Sequence, residues 1–180
     1  MDRAEAGTHR AFYVIVRGPL GSGKTTLARR LAREVGGETI AIDEILERYE
    51  LERWEGGYIS EGSFLRANEL AAERAGPILD QGRPVVVDGN FYWRSVIEDL
   101  ERRLATPHVV VSLQAPLAVC VARDAAREIS FGPDATRDVY AQVTSFEYGT
   151  PLDATGSEEE TLAKLLRILR NQGLGPPAPG

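Results

Sequence analysis

Residues 18–25 read GPLGSGKT and stand between an apolar run at 12–16 and a helical pattern that begins near Lys24. They match the pattern G-x-x-x-x-G-K-[ST] without a gap, in the strand-to-helix position where that pattern forms a phosphate-binding loop. Glycines let backbone N–H groups converge on phosphate oxygens, and the start of the helix adds its unpaired donors and positive dipole end. The segment, called the P-loop below, therefore predicts an α/β fold in which a strand runs into a site for the phosphates of a nucleotide.

Two side chains of the P-loop are predicted to have different chemical roles. Lysine in such a loop reaches the β- and γ-phosphates, and the threonine after it binds Mg²⁺ through its hydroxyl. We expect Lys24 to be catalytic and to face solvent in the free protein. A glycine-rich turn with a purely structural role explains neither the Lys24-Thr25 pair nor its position. The predicted nucleotide-binding residues are Gly18, Pro19, Leu20, Gly21, Ser22, Gly23, Lys24, Thr25 and Thr26.

The composition narrows the classes of protein to which the chain can belong. The chain has 180 residues, of which 43% are hydrophobic, and this suits one compact domain. It shows no apolar run near the roughly 20 residues of a membrane helix and no signal-peptide pattern. A single cysteine excludes an internal disulfide. The net charge of −6 gives no general attraction to nucleic acid. We therefore predict a cytoplasmic protein with a small-molecule partner, without membrane or nucleic-acid binding, and the oligomeric state stays open.

Short β-rich runs alternate with longer helical patterns. The predicted strands are 12–17, 39–42, 84–88, 108–113 and 150–154. The predicted helices are 24–35, 44–52, 61–81, 93–104, 116–129, 135–146 and 158–171. The first, third and fourth strands are continuously apolar, as expected when helices cover both faces of a parallel sheet. The sequence thus predicts a three-layer α/β/α P-loop fold with a mostly parallel sheet of about five strands and a short lid.

The two ends of the chain differ from its middle. Residues 1–10 are polar and without periodicity, and residues 173–180 are rich in glycine and proline, so both are predicted to be flexible tails. A single domain is predicted over residues 11–172. Near its end, Ser157 and Glu160 match a capping box that opens the last helix.

At this length and with this loop, the chain resembles the small P-loop kinases. These include nucleotide, shikimate and gluconate kinases, chloramphenicol phosphotransferase and polynucleotide-kinase-like proteins. The resemblance covers about residues 12–170, and the P-loop is its specific part. A GTPase is disfavoured, because the only D-x-x-G lies at 153–156, near the C-terminus, and no N-K-x-D occurs. The resemblance implies ATP- and Mg²⁺-dependent transfer of a γ-phosphate to a hydroxyl group.

Residues 42–47, IDEILE, follow the second predicted strand. Many small P-loop kinases place an aspartate there beside the acceptor hydroxyl, where it orients the hydroxyl and accepts its proton. Asp43 also fits the N-cap of a helix at 44–52, and the two roles are compatible. The stretch resembles the D-x-D-x-x-I-E of shikimate kinases with Ala41 in place of the first aspartate. It also resembles the D-x-x-R of polynucleotide kinases with Leu46 in place of the arginine, so neither substrate is specified.

Residues 85–90, VVVDGN, form a strand that ends in an acid, as a Walker B segment does. Asp88 in this position is predicted to hold Mg²⁺ opposite Thr25, although an Asp-Gly turn is the simpler alternative. Adenylate kinases carry D-G-[FY]-P-R here, with the arginine on phosphates. In this chain the arginine is Arg94, two positions later, while the D-x-N ending in Asn90 resembles polynucleotide-kinase-like proteins.

Residues 123–127, RDAAR, follow the fourth predicted strand, where small P-loop kinases have a lid whose arginines close over the triphosphate. Arginine suits this role because its planar fork pairs with phosphate oxygens and neutralises charge in the transition state. A spacing of four places Arg123 and Arg127 on one helix face, so both are predicted to be catalytic. The lid is predicted over about 123–137 and includes Arg137 as a further possibility. Ordinary surface arginines fit the pattern equally well.

Aromatic residues cluster in the segments that rim the acceptor side in this fold. They are predicted to stack on an aromatic or sugar-faced substrate, or else to pack against the sheet. Gly56-Gly57, between two of them, predicts a mobile segment that closes on substrate. The aromatic residues are Tyr49, Trp54, Tyr58, Phe64, Phe91, Tyr92 and Trp93. The predicted substrate-binding residues are Asp43, Trp54, Tyr58, Asn90 and Arg94.

The sequence as a whole predicts an ATP- and Mg²⁺-dependent phosphotransferase that acts on a hydroxyl of a small molecule. Two alternatives stay open: a nucleoside or nucleotide kinase, and a nucleotide-regulated binding protein. A kinase for nucleic-acid ends is disfavoured by the acidic charge and by Leu46. The acceptor and the choice between ATP and GTP are not readable from the sequence.

Overall fold

A five-stranded parallel sheet lies at the centre of the computed structural model, which describes residues 11–176. Its strands lie in the order β2-β5-β1-β6-β7, and every neighbouring pair is parallel. The sheet strands are β1 (Tyr13–Arg17), β2 (Glu38–Ala41), β5 (Val85–Gly89), β6 (His108–Gln114) and β7 (Thr150–Asp153). Two short strands, β3 (Trp54–Glu55) and β4 (Tyr58–Ile59), form a separate antiparallel hairpin.

Residues 11–176 also contain seven helices, which cover both faces of the sheet. They are α1 (Lys24–Glu34), α2 (Ile42–Arg48), α3 (Glu61–Asp80), α4 (Arg94–Leu104), α5 (Leu117–Ala125), α6 (Pro133–Val143) and α7 (Glu158–Asn171). This arrangement confirms the predicted three-layer α/β/α fold. No helix in the described part of the chain is both long enough and apolar enough to cross a membrane.

The sheet separates two hydrophobic cores, and β1 shows why its sequence is continuously apolar. Tyr13 and Ile15 point to one face, where α2, α3, α4 and α6 cover them. Val14 and Val16 point to the other face and pack with α1 and α7. Since both faces of the strand are buried, an alternating pattern is absent.

The structure near the two ends of the described region can be compared with the predicted tails and domain boundaries. The predicted N-terminal tail, residues 1–10, and the last four residues of the predicted C-terminal tail, 177–180, lie outside the described residues. Leu174, which falls inside the predicted C-terminal tail, is buried in the core beside α7. The capping box is confirmed, because Ser157 accepts from the backbone of Glu160 and Glu160 accepts from the backbone of Ser157.

The segment after β2 departs from the sequence prediction. α2 ends at Arg48 rather than at residue 52, because Glu50 takes a left-handed conformation with φ 53° and Leu51 N–H donates to the Leu46 carbonyl at 2.8 Å. Gly56 and Gly57, predicted to form a mobile segment, are the two central residues of the β3–β4 hairpin turn, with φ of 61° and 90°. Two consecutive positive φ angles are typical of a tight two-residue hairpin turn, and they favour glycine.

Arg17, the last residue of β1, is 2% exposed and holds the end of α6 against the sheet. Its guanidinium donates to Ser112 Oγ at 3.1 Å and to the Val143 carbonyl at 2.6 Å, and it lies 4.3 Å from the centre of the Phe146 ring. Val143 ends α6, so the cation also complements the negative end of that helix dipole. Burial, together with the charge of Arg94, lowers the pKa of Arg17 to about 10.

We predict that Arg17→Lys lowers the free energy of unfolding by about 2–4 kcal/mol, because an ammonium cannot replace the two guanidinium hydrogen bonds and the ring contact. The control is Arg83→Lys, since Arg83 is exposed and pairs with Glu38 at 2.8 Å on the surface. That change should stay within about 0.5 kcal/mol. Urea denaturation of the three proteins measures both effects, and equal effects of the two substitutions would contradict the role of Arg17.

Candidate active site

Three functional segments meet at one edge of the sheet, because neighbouring parallel strands end there. β2, β5 and β1 lie side by side, and Asp88 of β5 pairs in register with Ala41 of β2 and Val16 of β1. β1 runs into the P-loop, and β2 runs directly into α2, whose first turn contains Asp43. The strand order therefore brings the P-loop, Asp88 and Asp43 to the same end of the sheet.

The backbone of the P-loop depends on two glycines. Gly21 and Gly23 have φ of 74° and 90°, a conformation that side chains rarely allow. A Cβ on Gly21 would overlap the carbonyl of Cys120 in α5, so the loop packs directly on that helix. Gly23 is the N-cap of α1 and has no side chain to accept from the helix amides. The first amides of α1 are therefore donors suited to an anion such as phosphate.

Lys24 is buried, with 6% of its surface exposed, so the expectation that it faces solvent is wrong. Its Nζ lies 3.5 Å from the Pro19 carbonyl, because the side chain folds back along the P-loop. Burial lowers the pKa of the Lys24 ammonium, and the carboxylates of Asp43 and Asp88 offset part of this effect. The cation is thus held within the site rather than in bulk water.

Thr25 and Asp88, the predicted metal ligands, are in direct contact. Thr25 Oγ1 donates to Asp88 Oδ2 at 2.7 Å. Burial raises the pKa of the Asp88 carboxyl, while the Thr25 hydrogen bond and the charge of Lys24 lower it. A hydroxyl and a carboxylate are the oxygen ligands that Mg²⁺ prefers beside a phosphate group. The residues present at this point therefore fit a magnesium ion.

Asp43 lies in the first turn of α2, and the prediction that it caps a helix at 44–52 is wrong. α2 begins at Ile42, and its N-cap is Ala41, which has no side-chain acceptor. The Asp43 side chain is exposed to the open site, yet the surrounding protein removes enough water to raise the pKa of its carboxyl. The charges of Lys24 and Arg127 counteract this rise. Asp43 therefore has no capping role, and it lies close enough to Lys24 for the two charges to interact.

A cleft of about 360 Å³ opens beside the P-loop. Arg123 and Arg127 both line it, although α5 ends at Ala125 and Arg127 lies in the turn that follows. Arg123 donates to the Ala154 carbonyl at 2.8 Å and so joins α5 to the loop after β7. The remaining lining is contributed by the P-loop, the start of α1, Leu113, Gly156, Glu158 and Thr161.

Asp124, which the sequence reasoning did not single out, organises the turn between α5 and α6. Its buried Oδ2 accepts from Ser130 Oγ at 2.7 Å, from Phe131 N–H at 3.0 Å and from Gly132 N–H at 3.2 Å. These hydrogen bonds hold its pKa below the usual range against the effect of burial. An acid between two arginines carries no sequence signal for this role. Arg137 instead pairs with Asp134 on the surface at 2.8 Å.

The predicted aromatic rim divides into buried and exposed members. Phe64, Phe91 and Tyr92 belong to the core, as the packing alternative predicts. The Tyr58 hydroxyl donates to the Asp138 carbonyl of α6 at 3.5 Å. Trp54, on the hairpin, is 65% exposed. A stacking role is therefore structurally open to Trp54 and not to the buried rings.

Two further predicted substrate residues differ in their surroundings. Asn90 is 6% exposed, and its Oδ1 has no hydrogen-bond partner in the described part of the chain. Arg94 is engaged outside the site, since it donates to the Glu147 carbonyl at 2.9 Å and lies over the ring of Tyr148 at 5.1 Å. The structure therefore uses Arg94 to hold the segment after α6, and the prediction that it binds substrate is not supported by its contacts.

Comparisons with known proteins agree with this geometry. The model of the AAA domain family matches residues 14–147. Uncharacterized proteins of Mycobacterium tuberculosis and Mycobacterium bovis are 28% identical to the chain over 172 residues. The alignments cover 87% of this chain and 34% of each relative, so the chain spans about a third of the length of these curated relatives.

Solved structures share the fold over most of its length. A sugar kinase from Janibacter sp. HTCC2649 is 24% identical with a TM-score of 0.73, covering 89% of this chain and 95% of that chain. An APS kinase of Mycobacterium tuberculosis, in complex with AMPPNP and APS, is 15% identical with a TM-score of 0.67, covering 89% and 98%. A gluconokinase from Sinorhizobium meliloti 1021 is 20% identical with a TM-score of 0.66, covering 89% and 95%. At these identities the likeness establishes the fold.

We predict that Gly21→Ala destabilises the protein by about 2 kcal/mol or more, because alanine is strained at positive φ and its Cβ meets a backbone carbonyl of α5. The control is Gly62→Ala, since a Cβ on Gly62 in the first turn of α3 meets nothing within 4 Å and no proline follows it. That change should stabilise the protein by about 0.5–1 kcal/mol. Thermal and urea unfolding distinguish the two outcomes, and a Gly21→Ala protein as stable as wild type would refute the close packing of the P-loop on α5.

Proposed function

The chain belongs to the AAA domain family and has the fold of the small P-loop kinases, and from that premise we propose that it transfers the γ-phosphate of ATP to a hydroxyl group of a small molecule. The observation that carries this proposal is the convergence of the P-loop, the Thr25–Asp88 pair and the accessible carboxylate of Asp43 at one edge of the sheet. A phosphate donor site and a candidate proton acceptor are thus adjacent.

The P-loop side of the cleft supports the binding of a nucleoside triphosphate. The amides at the start of α1 and the ammonium of Lys24 supply positive charge for the β- and γ-phosphates. Arg123 and Arg127 line the same cleft, and a guanidinium there neutralises charge that develops on the transferring phosphoryl group. The APS kinase with the same fold is solved with AMPPNP, an ATP analogue, which agrees with nucleotide use.

Thr25 and Asp88 would hold the Mg²⁺ that accompanies the triphosphate. When bound, the ion supplies neutralisation of the β- and γ-phosphate oxygens. The two side chains are already joined by a hydrogen bond of 2.7 Å, so the protein holds both oxygen ligands together.

Asp43 favours a kinase over a nucleotide-regulated binding protein. A binding protein that only senses a nucleotide needs no carboxylate on the far side of the γ-phosphate. Asp43 is accessible and has no capping role, and its charge raises the pKa of Lys24 against the effect of burial. In a kinase it orients the acceptor hydroxyl and accepts its proton as the oxygen attacks phosphorus.

The contacts of Arg94 favour a small alcohol over a nucleoside monophosphate as acceptor. A monophosphate needs a cation on the acceptor side, and Arg94 is the arginine that stands two positions after the phosphate-binding arginine of adenylate kinases. Its guanidinium is occupied by Glu147 and by the rings of Phe146 and Tyr148. We therefore place nucleotide kinase activity second to phosphorylation of a neutral or cationic alcohol.

We predict that Asp43→Asn lowers phosphoryl transfer by roughly 10²–10⁴-fold, the usual effect of losing a positioned general base. ATP affinity should change little, because the triphosphate is held by Lys24 and the P-loop. The control is Asp80→Asn, the same change at an exposed aspartate that ends α3, which should retain transfer. Calorimetry measures ATP binding, and single-turnover assays measure transfer to the acceptor found in a screen of sugars, nucleosides and amino-alcohols.

The outcomes separate the hypotheses. Lost transfer with retained ATP binding supports the general base. Wild-type transfer by Asp43→Asn would show that Asp43 has no part in the chemistry. Retained ATP binding by a wild-type protein that phosphorylates no member of the screen would favour the nucleotide-regulated binding protein.

A further inference from the structure

The acceptor side of the site has a strongly negative net charge. We define the acceptor-side segment as residues 42–61, which comprise α2, the β3–β4 hairpin and the first residue of α3. This segment contains seven acidic residues and two arginines, so it alone carries a net charge of −5, compared with −6 for the whole chain. Its acidic residues are Asp43, Glu44, Glu47, Glu50, Glu52, Glu55 and Glu61.

Some of these acidic residues influence the pKa of the carboxylates in the candidate active site. Burial raises the pKa of both Asp43 and Asp88, and the charge of Glu44 adds to this rise. Glu44 also pairs with Arg29 of α1 on the surface at 3.3 Å. Burial raises the pKa of the Tyr92 phenol, and the charges of Asp43 and, to a smaller extent, Glu52 add to this rise. The opposing cations that face Asp43 are Lys24 and Arg127. Since both cations lie in the P-loop and lid that bind phosphate, the acceptor side itself is left anionic.

A buried oxygen supplies an independent indication of what binds there. Asn90 follows β5, and its side-chain N–H donates to the phenol oxygen of Tyr92, which lowers the pKa of that phenol against the larger effect of burial. Its Oδ1 is buried and makes no hydrogen bond to the described residues. A buried acceptor without a donor is costly, and a ligand that brings N–H or O–H groups satisfies it. The free oxygen of Asn90 and the carboxylates of the acceptor-side segment are acceptors, and they favour a ligand that brings donors.

Exposed aromatic rings complete the acceptor side. Trp54 is 65% exposed and Tyr49 is 48% exposed, both within the acceptor-side segment. Large exposed rings beside carboxylates attract ammonium groups through their π faces and stack on the apolar faces of sugar-like rings. They give no such advantage to an anionic ligand.

We propose that the phosphoryl acceptor is a polyhydroxylated compound that carries at least one ammonium group, such as an amino sugar or aminocyclitol. The ammonium group is bound by the carboxylates of the acceptor-side segment, with Glu52 as its principal rim contact. Trp54 packs on the ring of the acceptor, and Asn90 accepts one of its donors. This inference rests on the proposed kinase function and adds the charge class of the acceptor.

The transfer itself is balanced without a further reactant. The acceptor hydroxyl oxygen forms a bond to the γ-phosphorus, and the bond from that phosphorus to the β–γ bridging oxygen breaks. The hydroxyl proton passes to Asp43, and the bridging oxygen leaves with ADP. The ammonium group takes no part in bond making and serves only to hold and orient the acceptor.

The test compares ligands that differ in charge on the same carbon skeleton. Glucosamine, glucose and glucuronate are titrated into the protein with Mg-AMPPNP, and 2-deoxystreptamine is compared with inositol. We expect each cation to bind at least about tenfold more tightly than its neutral or anionic partner, the effect of one charge-assisted hydrogen bond. The advantage should shrink as salt rises from low to physiological concentration and beyond.

A substitution at Glu52 tests whether the preference for a cation arises from the acceptor-side segment. Glu52→Gln should weaken binding of the cation by roughly three- to tenfold and leave binding of its neutral partner unchanged. The control is Glu73→Gln, an exposed acid on α3 beside Arg66, which should change neither.

Each result decides between the claims. A cation preference that is lost in Glu52→Gln supports the inference. Equal binding of the matched ligands, tighter binding of the neutral or anionic member, or no binding of either cation to a protein saturated with Mg-AMPPNP overturns it and leaves the kinase assignment standing. Failure of the protein to bind Mg-AMPPNP overturns the proposed function itself.

Discussion

Close packing of the P-loop on α5 is the contact on which the site depends. Gly21 lies so near the Cys120 carbonyl that no side chain fits between them, and the left-handed backbone at Gly21 and Gly23 turns the chain into α1. The same contact fixes α5, which carries Arg123 at the cleft. The shape of the loop, the direction of its amides and the position of the lid are therefore set together by this one close approach of two backbones, and all three bear on the proposed binding of phosphate.

The sheet contributes the second half of the site through its strand order. Because β5 lies between β2 and β1, an acid at the end of β5 is placed between the P-loop and the start of α2. Arg17 then connects this edge to α6, whose other contacts reach the acceptor side through the Tyr58 hydroxyl and the Tyr92 carbonyl. The lid and the acceptor wall are consequently held by the same helix.

Strong local patterns in the sequence predicted the sheet strands, the P-loop and the Thr25–Asp88 pair, because each is a short motif next to a buried strand. The position of Lys24 was missed, since burial depends on the walls around the P-loop and not on the loop itself. The capping role of Asp43 was wrong because α2 begins two residues earlier than its pattern indicates. The roles of Arg17 and Asp124 depend on contacts with Val143 and with the turn at 130–132, which no local pattern records.

The central claim is that the P-loop binds a magnesium nucleoside triphosphate, and the melting temperature measured with Mg-ATP tests it most directly. A ligand at about 100 times its Kd stabilises the folded state by about 2.7 kcal/mol, which for a protein of this size raises the midpoint by roughly 5–10 °C. Mg-ATP should produce this rise in wild type, ATP alone or Mg²⁺ alone a smaller one, and Lys24→Met should lose most of it. A wild-type midpoint that does not move with millimolar Mg-ATP would contradict the account.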